Sequence, residues 1–356
     1  MLKPRAIIAG LGAYRSPIIS REGLSLDLNE SMAGCSPRVL ARLRALSASE
    51  LSLYPQREIG ERMVADFLGV APQQVLLTNG MDDALFLLFQ TYLGPEEDAQ
   101  KSELLFADPT FVMYPLLGQA AGARMERVQS PEDFSFPVEG MLERISSNTR
   151  LIAIANPNNP TGLAATRADL LRIVKAAPDS AVLIDEAYFE FCGTTLLGDL
   201  KTHPNLFVAR TFSKAYGLAG LRLGVLIGAE EQIDYMRRLS VPFNVNSVAL
   251  ACLEAALGDQ EFVRDQVAQV KEGRDRLQKL FKELGLRCWT SEANFVLVNV
   301  GAKIKEFVEF MRRRGTLVRN CSSNPGCKGC VRVTVPTPLQ MNDVLIAIRQ
   351  AVEEIR

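Results

Sequence analysis

The sequence predicts an α/β protein with a large domain built on a mostly parallel sheet with helices on both faces, followed by a smaller α+β domain. Short apolar runs alternate with amphipathic helical stretches up to about residue 240, which favours parallel strands joined by crossover helices. Beyond that point long helices come first and strands follow. A length of 356 residues is enough for two domains. We therefore predict an N-terminal arm (residues 1–45), a large domain (46–240) and a small domain (241–356).

Each predicted element follows from its hydrophobic period. The strands of the large domain are predicted at residues 75–78, 104–107, 151–155, 181–184, 206–209 and 223–227, with helices such as 82–92 and 167–176 between them. In the small domain the helices are predicted at 246–257, 261–284, 303–314 and 340–355, and the strands at 294–300, 316–319 and 331–335. The first 45 residues show no strong periodicity, so they are predicted as an extended arm.

The composition argues against several classes of function. The chain has 40 Lys and Arg against 41 Asp and Glu, a formal net charge of −1, which removes the attraction that general nucleic-acid binding needs. One histidine, His203, is too few for a His-rich metal centre or a His-based catalytic triad. No apolar run approaches the about 18–20 residues of a membrane span, so no membrane partner is expected. Seven cysteines, an odd number spread over a long chain, point to the reducing cytoplasm.

Three of those cysteines, Cys321, Cys327 and Cys330, lie close together in the sequence. A zinc ribbon needs a second cysteine pair at suitable spacing, and the sequence has none. The Cys-x-x-Cys spacing of the last two allows a redox pair, because it can lower a thiol pKa. We favour the simpler interpretation, a surface loop of small residues.

The most informative segment is 210–224, RTFSKAYGLAGLRLG, which begins where the predicted strand 206–209 ends. Ligand sites in open α/β sheets lie at the carboxyl ends of strands. Lys214 is therefore expected to face a ligand as a reactive amine. Ser213 offers a hydroxyl beside it, and Arg222 a guanidinium suited to phosphate. The alternative is a polar loop with a solvated lysine.

Other polar residues follow the neighbouring predicted strands. Asp185 ends an apolar run and Tyr188 comes three residues later, which places a carboxylate near a cationic ligand atom or, alternatively, at a helix N-cap. The run 156–162, NPNNPTG, predicts a rigid turn. The run 78–83, TNGMDD, predicts a helix start whose backbone N–H groups form an anion cup, or simply a capped helix.

Together these strand ends place a lysine, a carboxylate, a tyrosine, an asparagine, an arginine and an anion cup along one sheet edge. Pyridoxal phosphate requires this set of groups. An amine binds its aldehyde, a carboxylate keeps its ring nitrogen protonated, and hydrogen-bond donors and the cup hold its ring oxygen and phosphate. A nicotinamide site is not expected, because Gly10-x-Gly12 lacks the third glycine and a preceding strand.

On these motifs the sequence resembles the fold-type-I pyridoxal-phosphate aminotransferases, and within them most resembles the histidinol-phosphate aminotransferases. The resemblance covers nearly the whole chain in the expected order. The matching segments are 27–30 (DLNE), 54–55 (YP), 79–82 (NGMD), 109–111 (PTF), 156–162, 185–188 (DEAY), 210–224, 242–246 (PFNVN), 294–295 (NF) and 331–334 (VRVT).

The resemblance implies a role for each matching residue. Lys214 is then the Schiff-base lysine and the proton carrier between the substrate Cα and the cofactor, and Asp185 pairs with the pyridinium nitrogen. Tyr188 and Asn159 hydrogen-bond the phenolic oxygen. Of the remaining implied cofactor contacts, Phe111 lies on the ring face. The implied contacts at the phosphate are Ser213, Arg222, the backbone of Gly80, Met81 and Asp82, and a neighbouring subunit's Tyr54. The implied substrate contacts are Arg332 at the α-carboxylate, and Arg319 and Tyr14 at the distal end.

The resemblance further implies a homodimer. In the implied reaction, an amino donor such as glutamate and its 2-oxo acid exchange an amino group with an imidazolyl amino-alcohol phosphate, which is a step of histidine biosynthesis. Three departures leave the substrate open. Residues 31–35 (SMAGC) lack an expected proline, Met81 replaces a small hydroxyl residue, and Pro336 replaces a glycine. The loop 320–326 (NCSSNPG) also resembles phosphothreonine decarboxylases. An aromatic amino-acid aminotransferase or such a decarboxylase therefore remains the alternative.

Overall fold

Two sheets organise the chain in the computed structural model, which describes residues 2, 4–12, 23–94 and 102–356. The strands are β1 Leu24–Leu26, β2 Val75–Asn79, β3 Glu103–Asp108, β4 Arg124–Gln129, β5 Thr149–Ala155, β6 Ala181–Asp185, β7 Leu206–Thr211, β8 Leu223–Ile227, β9 Phe295–Asn299, β10 Thr316–Asn320 and β11 Cys330–Thr334. The helices are α1 Ala6–Ala9, α2 Pro37–Arg44, α3 Ala48–Ser52, α4 Arg57–Leu68, α5 Met81–Tyr92, α6 Met113–Ala121, α7 Val138–Arg144, α8 Arg167–Ala176, α9 Phe189–Cys192, α10 Glu230–Leu239, α11 Ser247–Gly258, α12 Gln260–Glu283, α13 Ile304–Arg313 and α14 Pro338–Ile355. Short 3₁₀ turns lie at Pro72–Gln74, Leu197–Asp199 and Ala219–Leu221. Throughout these ranges, each helix is too short or too polar to cross a membrane.

The large sheet has the strand order β2-β8-β7-β6-β5-β3-β4, and β8 alone among these strands runs antiparallel to its neighbours. Every residue of β6, β7 and β8 is buried, so both faces of the sheet are covered, as the continuous apolar runs predict. The other six strands are parallel, and their carboxyl ends therefore meet along one edge. The predicted α/β class of the large unit is confirmed.

The small sheet has the order β1-β10-β11-β9, with β1 parallel to β10 and the other pairs antiparallel. A second apolar core lies between this sheet and helices α12, α13 and α14; its largest members include Phe281 and Phe307. The strands and helices of this unit follow each other as the α+β prediction requires. The division of the chain near residue 240 stays a prediction.

The described part of residues 1–45 contains regular elements that the prediction of an extended arm did not include. Strand β1 completes the small sheet, and α2 begins at Pro37 with the Ser36 hydroxyl accepting the N–H of Arg38 as an N-cap. Serine before proline is a recognisable helix start, but a helix of eight residues is too short to show a clear period. The edge strand β4, RMERVQ, was not predicted either, because its exposed side chains are mostly polar.

The loop that carries Cys321, Cys327 and Cys330 reaches the surface at Asn320, Ser323, Gly326 and Lys328, as predicted, but its three cysteines are buried. The three thiols are at most 2% exposed and pack with Phe134, Trp289 and Leu297 in a small apolar cluster. Gly, Ser and Asn in the loop specify its turns, but they do not reveal that the chain folds back beneath two aromatic rings. All seven cysteines are free thiols, and no group of metal-ligating side chains occurs in the described ranges.

Candidate active site

A cleft of about 700 Å³ lies at the carboxyl ends of the parallel strands, between the large sheet and the strands β10 and β11. It brings together most of the predicted site residues. These are Met81, Asp82, Phe111, Asn159, Asp185, Tyr188, Ser213, Lys214, Arg222, Arg319 and Arg332. The backbone of Gly80 is next to them, at the start of α5. Tyr54 lies outside the cleft, and Tyr14 falls outside the described residues.

Lys214 follows strand β7, which aims its side chain into the cleft. Its Nζ donates to the backbone oxygen of Leu28 at 3.2 Å. Burial, together with the positive charge of Arg332, lowers the pKa of the Lys214 amine to about 8. A useful fraction of the amine is therefore uncharged near neutral pH, as a nucleophile or proton acceptor requires. The alternative of a solvated lysine is wrong.

Asp185 is the last residue of β6 and is 3% exposed. Its carboxylate accepts the hydroxyl of Tyr114 at 2.7 Å and the N–H of Ala187 at 3.0 Å. Burial raises the pKa of Asp185 to about 6, and no ion pair joins it to a cation within the described part of the chain. The N-cap alternative is wrong, because α9 begins only at Phe189 and has no side-chain cap. A buried carboxylate without a cation suits the protonated ring nitrogen of pyridoxal phosphate.

Tyr114 is a site residue that the sequence analysis missed. It is fully buried in α6, 71 positions before the carboxylate that it contacts. Phe111 packs edge-on against it, with 5.9 Å between the ring centroids. A tyrosine at the start of an apolar helix looks like an ordinary core residue, so only its spatial neighbour reveals its role.

The hydroxyl of Tyr188 is held by two amide groups. It accepts Nδ2 of Asn29 at 3.0 Å and Nδ2 of Asn159 at 3.5 Å, while Phe295 packs edge-on against the ring. Burial raises the pKa of the Tyr188 phenol, which therefore stays protonated at neutral pH. Because two N–H groups approach its oxygen, its own proton is free to be donated to a bound oxygen atom.

An anion cup lies where β2 turns into α5. Gly80 has φ +78°, and Arg222, at φ +54°, reaches back to Asp82 with 3.0 Å between Nη2 and Oδ2. A Cβ on Gly80 would lie 2.4 Å from Nη2 of Arg222, so glycine leaves the space that the guanidinium occupies. Ser213 also lines the cleft. Free N–H groups at a helix start, a guanidinium and a hydroxyl together suit a phosphate group. Met81 adds only its backbone here, since its side chain is in the core.

Arg332 is 8% exposed although it lies on a strand, so it does not belong to a wet face. It donates Nη1 to Asn159 Oδ1 at 2.5 Å and Nη2 to the backbone oxygen of Asp27 at 2.6 Å. Its buried Nε has no hydrogen-bond partner within the described ranges. Arg319 lies opposite it across the β10–β11 pair and also lines the cleft. Two guanidinium groups at one end of the cleft suit an anionic substrate.

The close approach of β8 to the cup leads to a stability prediction. A Cβ on Gly224 would lie 2.6 Å from the backbone of Gly80 and Met81. We expect Gly224→Ala to move the cup and to cost about 1–3 kcal/mol of unfolding free energy, with cofactor affinity at least about tenfold weaker. Urea denaturation and a fluorescence titration with pyridoxal phosphate measure the two effects. Gly198→Ala is the matched control, because nothing lies within 4 Å of its Cβ position; equal behaviour of the two variants would contradict the prediction.

Comparisons with known proteins show the family to which this chain belongs. The family model described as aminotransferase class I and II matches residues 21–348. Histidinol-phosphate aminotransferase 2 from Pseudomonas fluorescens (strain Pf0-1) is 36% identical over 334 residues, covering 92% of this chain and 88% of that protein. Histidinol-phosphate aminotransferase 2 from Methylococcus capsulatus is 37% identical over 326 residues, covering 88% of this chain and 86% of that protein.

Two solved structures show the same fold. One is histidinol-phosphate aminotransferase from Sinorhizobium meliloti in complex with pyridoxal-5'-phosphate, with a TM-score of 0.91, 23% identity and coverage of 100% of this chain and 99% of that one. The other is L-threonine-O-3-phosphate decarboxylase from Porphyromonas gingivalis, with a TM-score of 0.81, 23% identity and coverage of 93% and 99%. The predicted resemblance and the fold-type-I class are confirmed. With the cleft chemistry described above, the family match makes the chain a member of the aminotransferase class I and II family and a pyridoxal-phosphate-dependent aminotransferase.

Proposed function

We propose that this aminotransferase acts on L-histidinol phosphate and 2-oxoglutarate, in the biosynthesis of histidine. The observation that carries the proposal is the similarity of about nine tenths of the chain to curated histidinol-phosphate aminotransferases. The cleft supports it, since Arg319 and Arg332, paired across β10 and β11, add two cations to its lining. An amino-alcohol phosphate has the anionic group that such a pair binds.

Each residue of the cleft has a proposed part in the reaction. When bound, pyridoxal phosphate takes up the amino group and draws electron density from the substrate Cα. Lys214 would hold the cofactor through its amine, and its Nζ would accept and return the proton that leaves the substrate Cα. Asp185 holds a proton on the ring nitrogen, while Tyr188 and Asn159 donate to the phenolic oxygen. Phe111 supports the ring face, where it lines the cleft beside the site.

Both substrates carry an anionic group next to the reacting carbon, which the site must bind. Arg332 can bind it with its forked guanidinium, which Asn159 and the backbone of Asp27 hold in place. We propose that it binds the α-carboxylate of glutamate and 2-oxoglutarate, and that Arg319 contributes at the distal end. A role for Tyr14 at that end stays a prediction.

Steady-state rates with three donors test the substrate. We expect kcat/KM for histidinol phosphate to exceed that for phenylalanine by at least about 100-fold, since a phosphate can pair with both Arg319 and Arg332, whereas phenylalanine offers only its α-carboxylate. O-phosphothreonine is the third donor, with release of carbon dioxide as its readout. Faster turnover of phenylalanine would support an aromatic aminotransferase, and carbon dioxide release would support a decarboxylase; either result would contradict the proposed substrate.

We propose a cytoplasmic homodimer in which Tyr54 reaches the cofactor phosphate of the neighbouring subunit. Tyr54 is 79% exposed and is stacked on Phe243 with 4.4 Å between ring centroids, and Leu53 and Val241, close to these residues in the sequence, are also exposed apolar side chains. A patch of this kind favours a protein partner. Sedimentation should give a dimer, and Tyr54→Ala should weaken cofactor binding while Tyr235→Ala, at another exposed ring, should not. A fully active monomer would contradict this.

A further inference from the structure

We propose that Asn29 is a positioning residue that aims the hydroxyl of Tyr188 at the cofactor, by donating an amide N–H to the tyrosine oxygen. Asn29 lies between β1 and α2 and is 1% exposed. It belongs to the segment DLNE that carries part of the family resemblance. The inference rests on the proposed function, in which Tyr188 donates to the phenolic oxygen.

The backbone of Asn29 is in an uncommon conformation. Its φ is +55°, in the left-handed region that side-chain-bearing residues rarely adopt and that asparagine tolerates better than most. The backbone is pinned there from the small sheet. Its N–H donates to Oγ1 of Thr334 at 3.1 Å, and its carbonyl oxygen accepts Nδ2 of Asn294 at 3.1 Å. A strained residue held by buried partners marks a place where position matters.

The side chain of Asn29 is oriented by the same neighbour. Oγ1 of Thr334 donates its proton to Oδ1 of Asn29 at 3.2 Å, which leaves Nδ2 facing Tyr188 at 3.0 Å. The amide therefore approaches the tyrosine as a donor. With Asn159 as a second and more distant donor at 3.5 Å, both lone pairs of the phenol oxygen face N–H groups. The hydroxyl proton of Tyr188 is then directed away from both amides, into the cleft.

The carbonyl groups before Asn29 hold two other site residues. Leu28 accepts Nζ of Lys214 at 3.2 Å, and Asp27 accepts Nη2 of Arg332 at 2.6 Å. Three consecutive residues thus contact the lysine, the arginine and the tyrosine of the site. Thr334 and Asn294 belong to the small unit, while Tyr188 follows a strand of the large sheet. Asn29 therefore forms hydrogen bonds to both units and fixes their relative position at the site.

The consequence is spectroscopic. A hydroxyl that donates to the phenolic oxygen of the bound cofactor stabilises the negative charge on that oxygen. The visible absorbance band of the holoenzyme then titrates at a lower pH. A net hydrogen bond of about 1 kcal/mol corresponds to roughly 0.7 pH unit. If the Tyr188 hydroxyl is no longer oriented toward the phenolic oxygen of the cofactor, the midpoint pH of this titration should rise by about that amount.

The test compares holoenzymes of the wild type, Asn29→Gly, Tyr188→Phe and the double variant by absorbance between about pH 5.5 and 9.5. Glycine keeps the left-handed backbone accessible and removes the whole side chain, the amide donor included. We expect N29G to raise the midpoint by about 0.5–1 unit, Y188F to raise it at least as much, and the double variant to match Y188F. Asn148→Gly, the same change outside the cleft, should leave the midpoint where it is. Denaturation midpoints show whether each variant is folded, and Asn29→Ser replaces N29G if glycine unfolds the protein.

Two outcomes would overturn the inference. One is a folded N29G holoenzyme whose midpoint stays within about 0.2 unit of the wild type. The other is a shift by N29G that persists in full in the Y188F background, since the effect would then not pass through the hydroxyl. A wild-type holoenzyme without a titrating band would instead contradict the proposed role of Tyr188, so the two failures are distinguishable.

Discussion

Replacing Lys214 with alanine should lower turnover by about 10⁴-fold or more, because a single amine both attaches the cofactor and moves the proton. No other lysine lines the cleft within the described ranges, so no nearby amine can substitute. The measurement is the single-turnover rate of amino transfer together with borohydride trapping of the cofactor on the protein.

Two further variants make this result specific. Lys214→Arg keeps a positive charge, so its equal failure would show that the uncharged amine matters and not the charge alone. Lys201→Ala, at an exposed lysine outside the cleft, should leave the rate unchanged. Undiminished turnover of Lys214→Ala would contradict the mechanism proposed for this site.

The second large effect is expected at Asp185. Asparagine has nearly the same shape but cannot hold a positive charge on the ring nitrogen, so we expect Asp185→Asn to lower kcat by about 10²–10⁴-fold. Asp179→Asn, at an exposed aspartate just before the same strand, is the control and should be unaffected. Full activity of Asp185→Asn would show that ring protonation does not depend on this carboxylate.

The same substitution should change how the stability of the cofactor-free protein depends on pH. Burial raises the pKa of Asp185 from 3.8 to about 6, so between these values the folded protein keeps a proton that the unfolded chain has released. The unfolding free energy of the wild type therefore falls as pH rises through this window, by this group's contribution. Asp185→Asn removes that contribution.

Urea denaturation of both cofactor-free proteins between about pH 4 and 7 measures the difference. The wild type minus Asp185→Asn difference in unfolding free energy should decrease with rising pH and become level above about pH 6. A difference that increases with pH would mean that the folded protein stabilises the charged carboxylate. That result would contradict a buried Asp185 carboxylate without a cationic partner.

Much of the fold was predictable because strands and helices leave local patterns. The predicted strand 223–227 and the predicted helix 167–176 coincide with β8 and α8 in the structure. The reason is that continuous apolar runs and amphipathic periods are properties of short segments. The polar residues at strand ends were predictable as a site for the same reason, since parallel strands bring their carboxyl ends to one edge.

The sequence by itself determined the α/β class, the strand ends that form the cleft, and the lysine, aspartate, tyrosine and arginines that line it. Only the tertiary structure decided the partners of those residues. Tyr114 lies 71 positions from Asp185, and Asn29 lies 159 positions from Tyr188. It also decided that the cysteines of the 320–330 loop are buried. Such contacts join segments far apart in the chain, and a hydrogen bond between them imposes no spacing or period that a reading along the sequence can detect.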